Sequence, residues 1–331
     1  MNSSVGFGRV AWLSIAASLL GAAYAAADEG GVSFWLPGQY SSFGAMPSNP
    51  GWSSETVYYY AAASAQAGIG FNRGGGLQVG VSSPVHLAMF TPTYSFETPV
   101  FGGQFAIGIS AVVGKNSTSA SATLTGPAGG TLAGAHSDSV VGFGDPSPTA
   151  TLKWSKDDHY FMLYGTTGIP VGAYDINRMS AIGLGHWAVD GGLGYTYYNE
   201  KAGFEFSAVA GLTYNFVNPY TDYRSGIDWH VDWSLSPYVS EKVLIGAVGY
   251  VYGQLTSDSA PGGVFGDSRS RVAAIGPQVG FFFPVADREA FLSFKAYYEF
   301  DAHRRLDGWN GWITLSLDAP EQSSRRARSR Q

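Results

Sequence analysis

The sequence predicts an all-β fold, a transmembrane antiparallel β-barrel of the outer-membrane type with about twelve strands. Three observations predict it. The stretch Gly203 to Phe216, GFEFSAVAGLTYNF, alternates strictly. Phe204, Phe206, Ala208, Ala210, Leu212, Tyr214 and Phe216 fall on one face; Glu205, Ser207, Val209, Gly211, Thr213 and Asn215 fall on the other. That period is a strand's, and at about 3.3 Å per residue and a tilt of about 40° its aromatic ends stand about 25 Å apart, the height of the apolar band of a membrane barrel. The second observation is that connections between strand candidates alternate short and long, as periplasmic turns and extracellular loops do. The third is composition: 13% charged residues, 15% aromatic residues and 45 glycines. No run of eighteen apolar residues occurs, so insertion would have to be by strands rather than by a helix.

From the N-terminus, residues 1 to 27 read as an export signal. Arg9 is the only charge before Asp28, Val10 to Leu20 are a short apolar core, and Ala25-Ala26-Ala27 offers an A-x-A cleavage site. This predicts Sec-type export to the bacterial outer membrane. Residues 28 to 54 are rich in Gly, Pro and Ser without a sustained period, yet Phe34, Trp35, Tyr40, Phe43 and Trp52 make them too aromatic for disorder. A plug folded into or under the lumen is the expectation.

The barrel is expected over 55 to 318, with strands near 55–66, 85–97, 102–114, 140–153, 159–167, 186–198, 203–216, 226–238, 243–253, 271–283, 290–300 and 309–317. Phe105, Ile107, Ile109, Ala111 and Val113 mark one clear apolar face; Ile227, Trp229, Val231, Trp233 and Leu235 mark another. Long loops are expected at Gly68 to Pro84, Lys115 to Ser139, 168 to 185 and Gln254 to Ser270. Short turns are expected at Ser155 to Asp158, Asn199 to Ala202 and SEK at 240 to 242. An even strand count returns both termini to the periplasmic side. Residues 319 to 331 read as a disordered tail carrying Arg325, Arg326, Arg328 and Arg330. The net charge is −6, so the body is acidic and nucleic acid is not an expected partner. Zero cysteines exclude disulfides, thiolate metal sites and a Cys nucleophile.

At GFEFSAVAGLTYNFVNPYTDYRSGIDWHVDW the chain resembles the outer-membrane protein family named for the meta-cleavage pathway of phenol degradation. The resemblance extends to GGVSFWLPGQYSSFGAMPSNPGW near the start, GFGDPSPTATLKW at 142–154 and GIPVGAYD at 168–175. It implies an outer-membrane barrel for passage of small hydrophobic or aromatic compounds such as phenols, with membrane lipid, those solutes and the outer-membrane assembly machinery as partners and no cofactor. One departure stands out. Such barrels commonly end on a terminal aromatic, whereas this last strand ends at Leu317, which implies an internal assembly signal.

Asp228, His230 and Asp232 are spaced two apart and share one strand face. Such a file admits a proton relay, a metal site or the acid/base pair of a hydrolase. It equally admits a hydrated lining satisfied by Arg224, Lys201 or Lys295. No convergent ligand set is visible for a metal, and no serine sits in a nucleophile elbow. Phe34, Trp35, Tyr40, Glu205, Asp228, His230 and Asp232 are the substrate-pathway candidates; Asp222, Tyr223 and Arg224 are candidates for a gating loop. The alternatives to a channel are a barrel hydrolase using His230 and a structural or adhesive barrel whose loops, above all Lys115 to Ser139, meet partners outside.

Overall fold

The computed structural model describes residues 33–71, 74–261 and 268–320. The export signal and the arginines of the tail lie outside them. The described chain is all strand and connection: β1 Gly51–Gly70, β2 Gly76–Ser95, β3 Gln104–Thr125, β4 Thr131–Phe143, β5 Ser147–Lys156, β6 His159–Gly168, β7 Ala188–Asn199, β8 Phe204–Asn215, β9 Asp228–Ser240, β10 Val243–Gln254, β11 Arg271–Val285, β12 Arg288–His303 and β13 Asp307–Leu317. Each pairs antiparallel with its sequence neighbour except where β5 follows β4, and β13 closes on β1 with Ser54 opposite Leu317. Closure leaves no free edge around the ring at membrane depth, which a lipid environment requires of a sheet.

The thirteen segments make twelve staves, because β4 and β5 are two halves of one. β3 pairs with β4 through Val113 opposite Phe143 and with β5 through Ser110 opposite Ser147. Gly144, Asp145 and Pro146 therefore face only Ala111 and Val112, one residue too many, and Pro146 has no N–H to give the ladder. The single strand expected at 140–153 is corrected to the end of β4, this break and β5. The expected long loops at Gly68–Pro84 and Lys115–Ser139 are corrected too. Most of both is strand, and β1, β2 and β3 run to 20, 20 and 22 residues. Their upper parts, such as KNSTSASATLT, alternate small polar residues with alanine, so the pattern is present with little hydrophobic contrast. At the tip of the β1–β2 hairpin Gly75 has φ +84°, and a Cβ there would lie 2.1 Å from the carbonyl oxygen of Thr125, so two hairpins meet where only glycine fits.

Side-chain burial follows the period of two. On β8 the positions Glu205, Ser207, Val209, Thr213 and Asn215 are buried inside, while Leu212 and Tyr214 are exposed outside. Ile245, Ile275 and Ile313 extend the outward apolar band that contacts lipid. Above the β4–β5 break no strand among the described residues covers the far edge of β4. The connection 169–187 covers it instead. Ala173 N donates to Phe143 O at 2.8 Å, Asn116 Nδ2 donates to Ala181 O at 2.9 Å, and Asp145 accepts from Gly172 N and Leu184 N, both at 2.7 Å. GFGDPSPTATLKW and GIPVGAYD, 27 residues apart at Asp145 and Gly172, thus meet at one place.

Candidate functional site

Residues 33 to 50 lie inside the ring of strands, and inward-facing polar side chains of widely separated staves hold them. Leu36 to Gln39 form a turn, closed by Gln39 N donating to Leu36 O at 3.1 Å. Asp232 on β9 accepts from Gly38 N at 2.9 Å and Tyr40 N at 3.2 Å. From β12, Lys295 Nζ donates to Gly38 O at 2.7 Å, and its ammonium lies 4.9 Å from the Trp312 ring. A carboxylate and an ammonium therefore grip the two sides of one peptide turn, each taking the backbone group of opposite polarity. Gly38 has φ +88°, and a Cβ there would meet Tyr297 at 3.0 Å and Tyr250 at 3.1 Å, so the turn needs glycine for both reasons.

Further along, Glu205 on β8 accepts from Ser42 Oγ at 2.9 Å, Phe43 N at 3.2 Å and Ser234 Oγ at 3.2 Å, and also from Ser207. Ala45 N donates to Thr196 Oγ1 at 3.2 Å, Lys153 Nζ donates to Met46 O at 3.0 Å, and Gln104 Nε2 donates to Ser48 O at 2.7 Å. The segment thus uses polar groups from β3, β5, β7, β8, β9 and β12.

Its first residues are held differently. Trp35 is buried and lies flat on His230, ring centroids 3.5 Å apart and planes 15° from parallel. Tyr40 stacks at 5.8 Å and 18° on the indole, and Tyr164 of β6 closes the group at 5.8 Å. Phe34 packs on the backbone of Gly168, where a Cβ would come within 2.7 Å of its ring. Beneath the stack, His230 Nε2 lies 3.1 Å from Asp190 Oδ2 and 3.3 Å from Tyr164 Oη, and Tyr164 Oη donates to Asp190 Oδ1 at 2.7 Å. Thr213 also donates to Asp190. A carboxylate only accepts, so Nε2 carries a hydrogen toward Asp190, and Nδ1 is left without a hydrogen-bond partner.

Beside this group a cleft of about 700 Å³ opens in the wall at β3, β5 and β6. Ile107, Ile109, Ala150 and Gly165 line it from the lipid register, and Gly108, Thr149, Thr166 and Asp190 line it from the lumen register. Glycines on both registers thin the wall there, and the lining is predominantly apolar.

The structure brings Trp35, Tyr40, His230 and Asp232 into one cluster, with Glu205 gripping the next turn of the same segment. Asp228, at the upper end of the file, accepts from Asn215 Nδ2 at 2.9 Å. The expected cations are corrected: Arg224 lies on the 216–227 connection, paired with Ser259 through both backbone groups, and Lys201 is exposed in a turn. Lys295, the third expected cation, does face Asp232 across the turn, donating to Gly38 O and, at 3.4 Å, to Gln39 O. The carboxylate of His230 is not its strand neighbour Asp228 or Asp232 but Asp190, two staves away. Asp222 has φ +55°, Tyr223 Oη donates to Asp258, and Arg224 Nη1 lies 3.5 Å from Tyr214 Oη, so these three belong to the outer rim. Sequence reasoning missed Asp190 and Tyr164. The signal for Asp190 was a lone acid on the polar register of AVDGGLGY. Among the described residues no group of three or more His, Asp or Glu is placed to hold a metal.

A closed ring of antiparallel strands, with an apolar outer band and a polar lumen occupied by its own aromatic segment, is an outer-membrane-type β-barrel. The chain belongs to the family described as "Putative MetA-pathway of phenol degradation", whose model matches residues 67–315. Among solved structures it is similar to an outer membrane channel from Pseudomonas putida F1, with 14% identity over 86% of this chain and 98% of that one, at a TM-score of 0.57. A Pseudomonas aeruginosa FadL homologue is similar at 8% identity over 82% of this chain and 90% of that one, with a TM-score of 0.40. No curated protein matches the chain.

Proposed function

We propose that this chain is an outer-membrane channel for small hydrophobic or aromatic molecules, reached by Sec-type export, with residues 33–50 as its plug. The observation that carries the reading is how the luminal charges are used. Asp232, Lys295 and Glu205 spend their hydrogen bonds on the plug backbone rather than lining open water, and the rings of Trp35, Tyr40, Tyr164 and His230 pack together beside an apolar cleft reaching the lipid face. A polar sugar finds few free partners on such a route, whereas a phenolic ring finds stacking surfaces throughout. The family's description supports phenolic cargo. Phe34, Trp35, Tyr40, Asp190 and His230 would form the pathway, and the rim at Asp222, Tyr223 and Arg224 would shape access from outside.

Hydrolysis finds less support. His230 Nε2 is engaged by Asp190 and Tyr164, Trp35 covers its ring face, and among the described residues no serine hydroxyl hydrogen-bonds it. The test is flux into liposomes carrying the refolded protein, phenol against a sugar of similar size. Phenol flux above empty liposomes without sugar flux supports the reading; flux of neither removes it.

A further inference from the structure

The 33–50 segment has two unlike parts. From Gly38 onward every turn is tied by charged or hydroxyl groups of the barrel. Before Gly38, Trp35 is held by its neighbours' rings, and its backbone oxygen accepts only a local bond from Ser33 Oγ at 2.7 Å. Two polar atoms at the stack are buried without a partner: the donor Nε1 of Trp35 and Nδ1 of His230. Buried tryptophan N–H groups ordinarily find an acceptor, and an unpaired buried imidazole nitrogen is costly. The slot between His230, Tyr40 and Tyr164 therefore fits the indole's shape and leaves its chemistry unmet.

We propose that Trp35 is a self-ligand, an internal ring occupying the binding slot for the ring of the cargo, and that a planar aromatic molecule bearing a hydroxyl or N–H takes the slot by displacing it. The inference rests on the channel reading and adds to it a site, a ligand class and a means of opening. A cargo hydroxyl, able to donate or accept, can pair with His230 Nδ1, which the indole leaves unpaired. The stem from Gly38 to Ser48 stays tied during the exchange, so only the head swings. Aliphatic molecules of equal size lack the planar faces that the slot offers and do not open it.

The absence of native cysteine allows a clean test. Single Ser33→Cys and Ser41→Cys proteins, each with Trp35 intact, report on head and stem by their rate of reaction with a polar maleimide. Saturating 2-naphthol is expected to raise the Ser33→Cys rate about tenfold, the size set by exchanging one to two ring pairs. The Ser41→Cys rate should stay unchanged, and cyclohexanol should move neither. In a His230→Leu background the 2-naphthol effect should vanish while heat-modifiable migration shows an intact barrel. No acceleration at position 33 overturns the proposal, and so does equal acceleration at both positions, which means the whole segment leaves. Phenol flux in liposomes is read separately: flux without head exposure removes the self-ligand and keeps the channel, and absence of flux removes the channel itself.

Discussion

Replacing Asp232 with alanine removes the acceptor for two backbone N–H groups, the buried Gly38 at 2.9 Å and the part-buried Tyr40 at 3.2 Å. Hydrogen bonds to a charged group contribute about 1.5 to 3 kcal/mol each. Part of that returns when the released turn is hydrated, so a net loss of about 2 to 4 kcal/mol for the docked turn is the reasoned size, or about 30- to 800-fold in the population of the released segment. Lys295 keeps its bond to Gly38 O but loses the carboxylate across the turn, which pushes in the same direction. The readouts are the maleimide reaction rate of Ser41→Cys and single-channel conductance in a planar bilayer, and both should rise together. If the Asp232→Ala barrel is intact and the Ser41→Cys rate changes less than about threefold, the Asp232 grip does not hold the segment, and the reasoning from these two bonds fails.

Lys295→Met should release the same turn from its other side, read by the same thiol reaction, with a smaller effect because Tyr297 Oη still donates to Gly38 O at 3.3 Å. Gly172→Ala places a Cβ 2.7 Å from the backbone of Gly144 and 2.8 Å from Asp145, so it should loosen the 169–187 connection by about 1 to 3 kcal/mol, measured as faster proteolysis there with the barrel's migration unchanged. Asp138 accepts from Arg178, Met179 N and Ser180 N, and the Arg178 hydrogen bond first of all holds its carboxyl well below the usual range. A lowered folded-state pKa gives stability that is complete above the ordinary carboxylate value and lost as pH falls through the lowered one. The connection should therefore hold down to about pH 4 and loosen only below it. Hydrogen exchange at Met179 and Ser180, corrected for intrinsic rates, checks this, and Arg178→Ala should speed exchange already at neutral pH and flatten its dependence on acid.

Much of the barrel was legible in the sequence because strand alternation is a property of the local backbone: successive side chains leave opposite faces whatever lies around them. GFEFSAVAGLTYNF and the file Asp228, His230, Asp232 therefore sorted themselves into outward and inward registers without a fold. Strand ends were less legible where hydrophobic contrast faded, as in KNSTSASATLT, where Ser, Thr and Ala differ too little to mark a face. The β4–β5 break was missed because the residues on both sides of Gly144-Asp145-Pro146 read as one strand, and only the pairing of β3 with both sides shows where the ladder is interrupted.

The sequence by itself determined where most staves cross the apolar band and which face each residue presents there, since both follow from period two and from the cost of burying polar groups in lipid. Only the tertiary structure decided what the inward groups meet. Lys295 reaches Gly38 across 257 residues of chain, and His230 finds Asp190 two staves away rather than an acid on its own strand. Both contacts exist because the sheet closes into a ring narrow enough for opposite walls to grip one segment, and no local period carries the diameter of that ring.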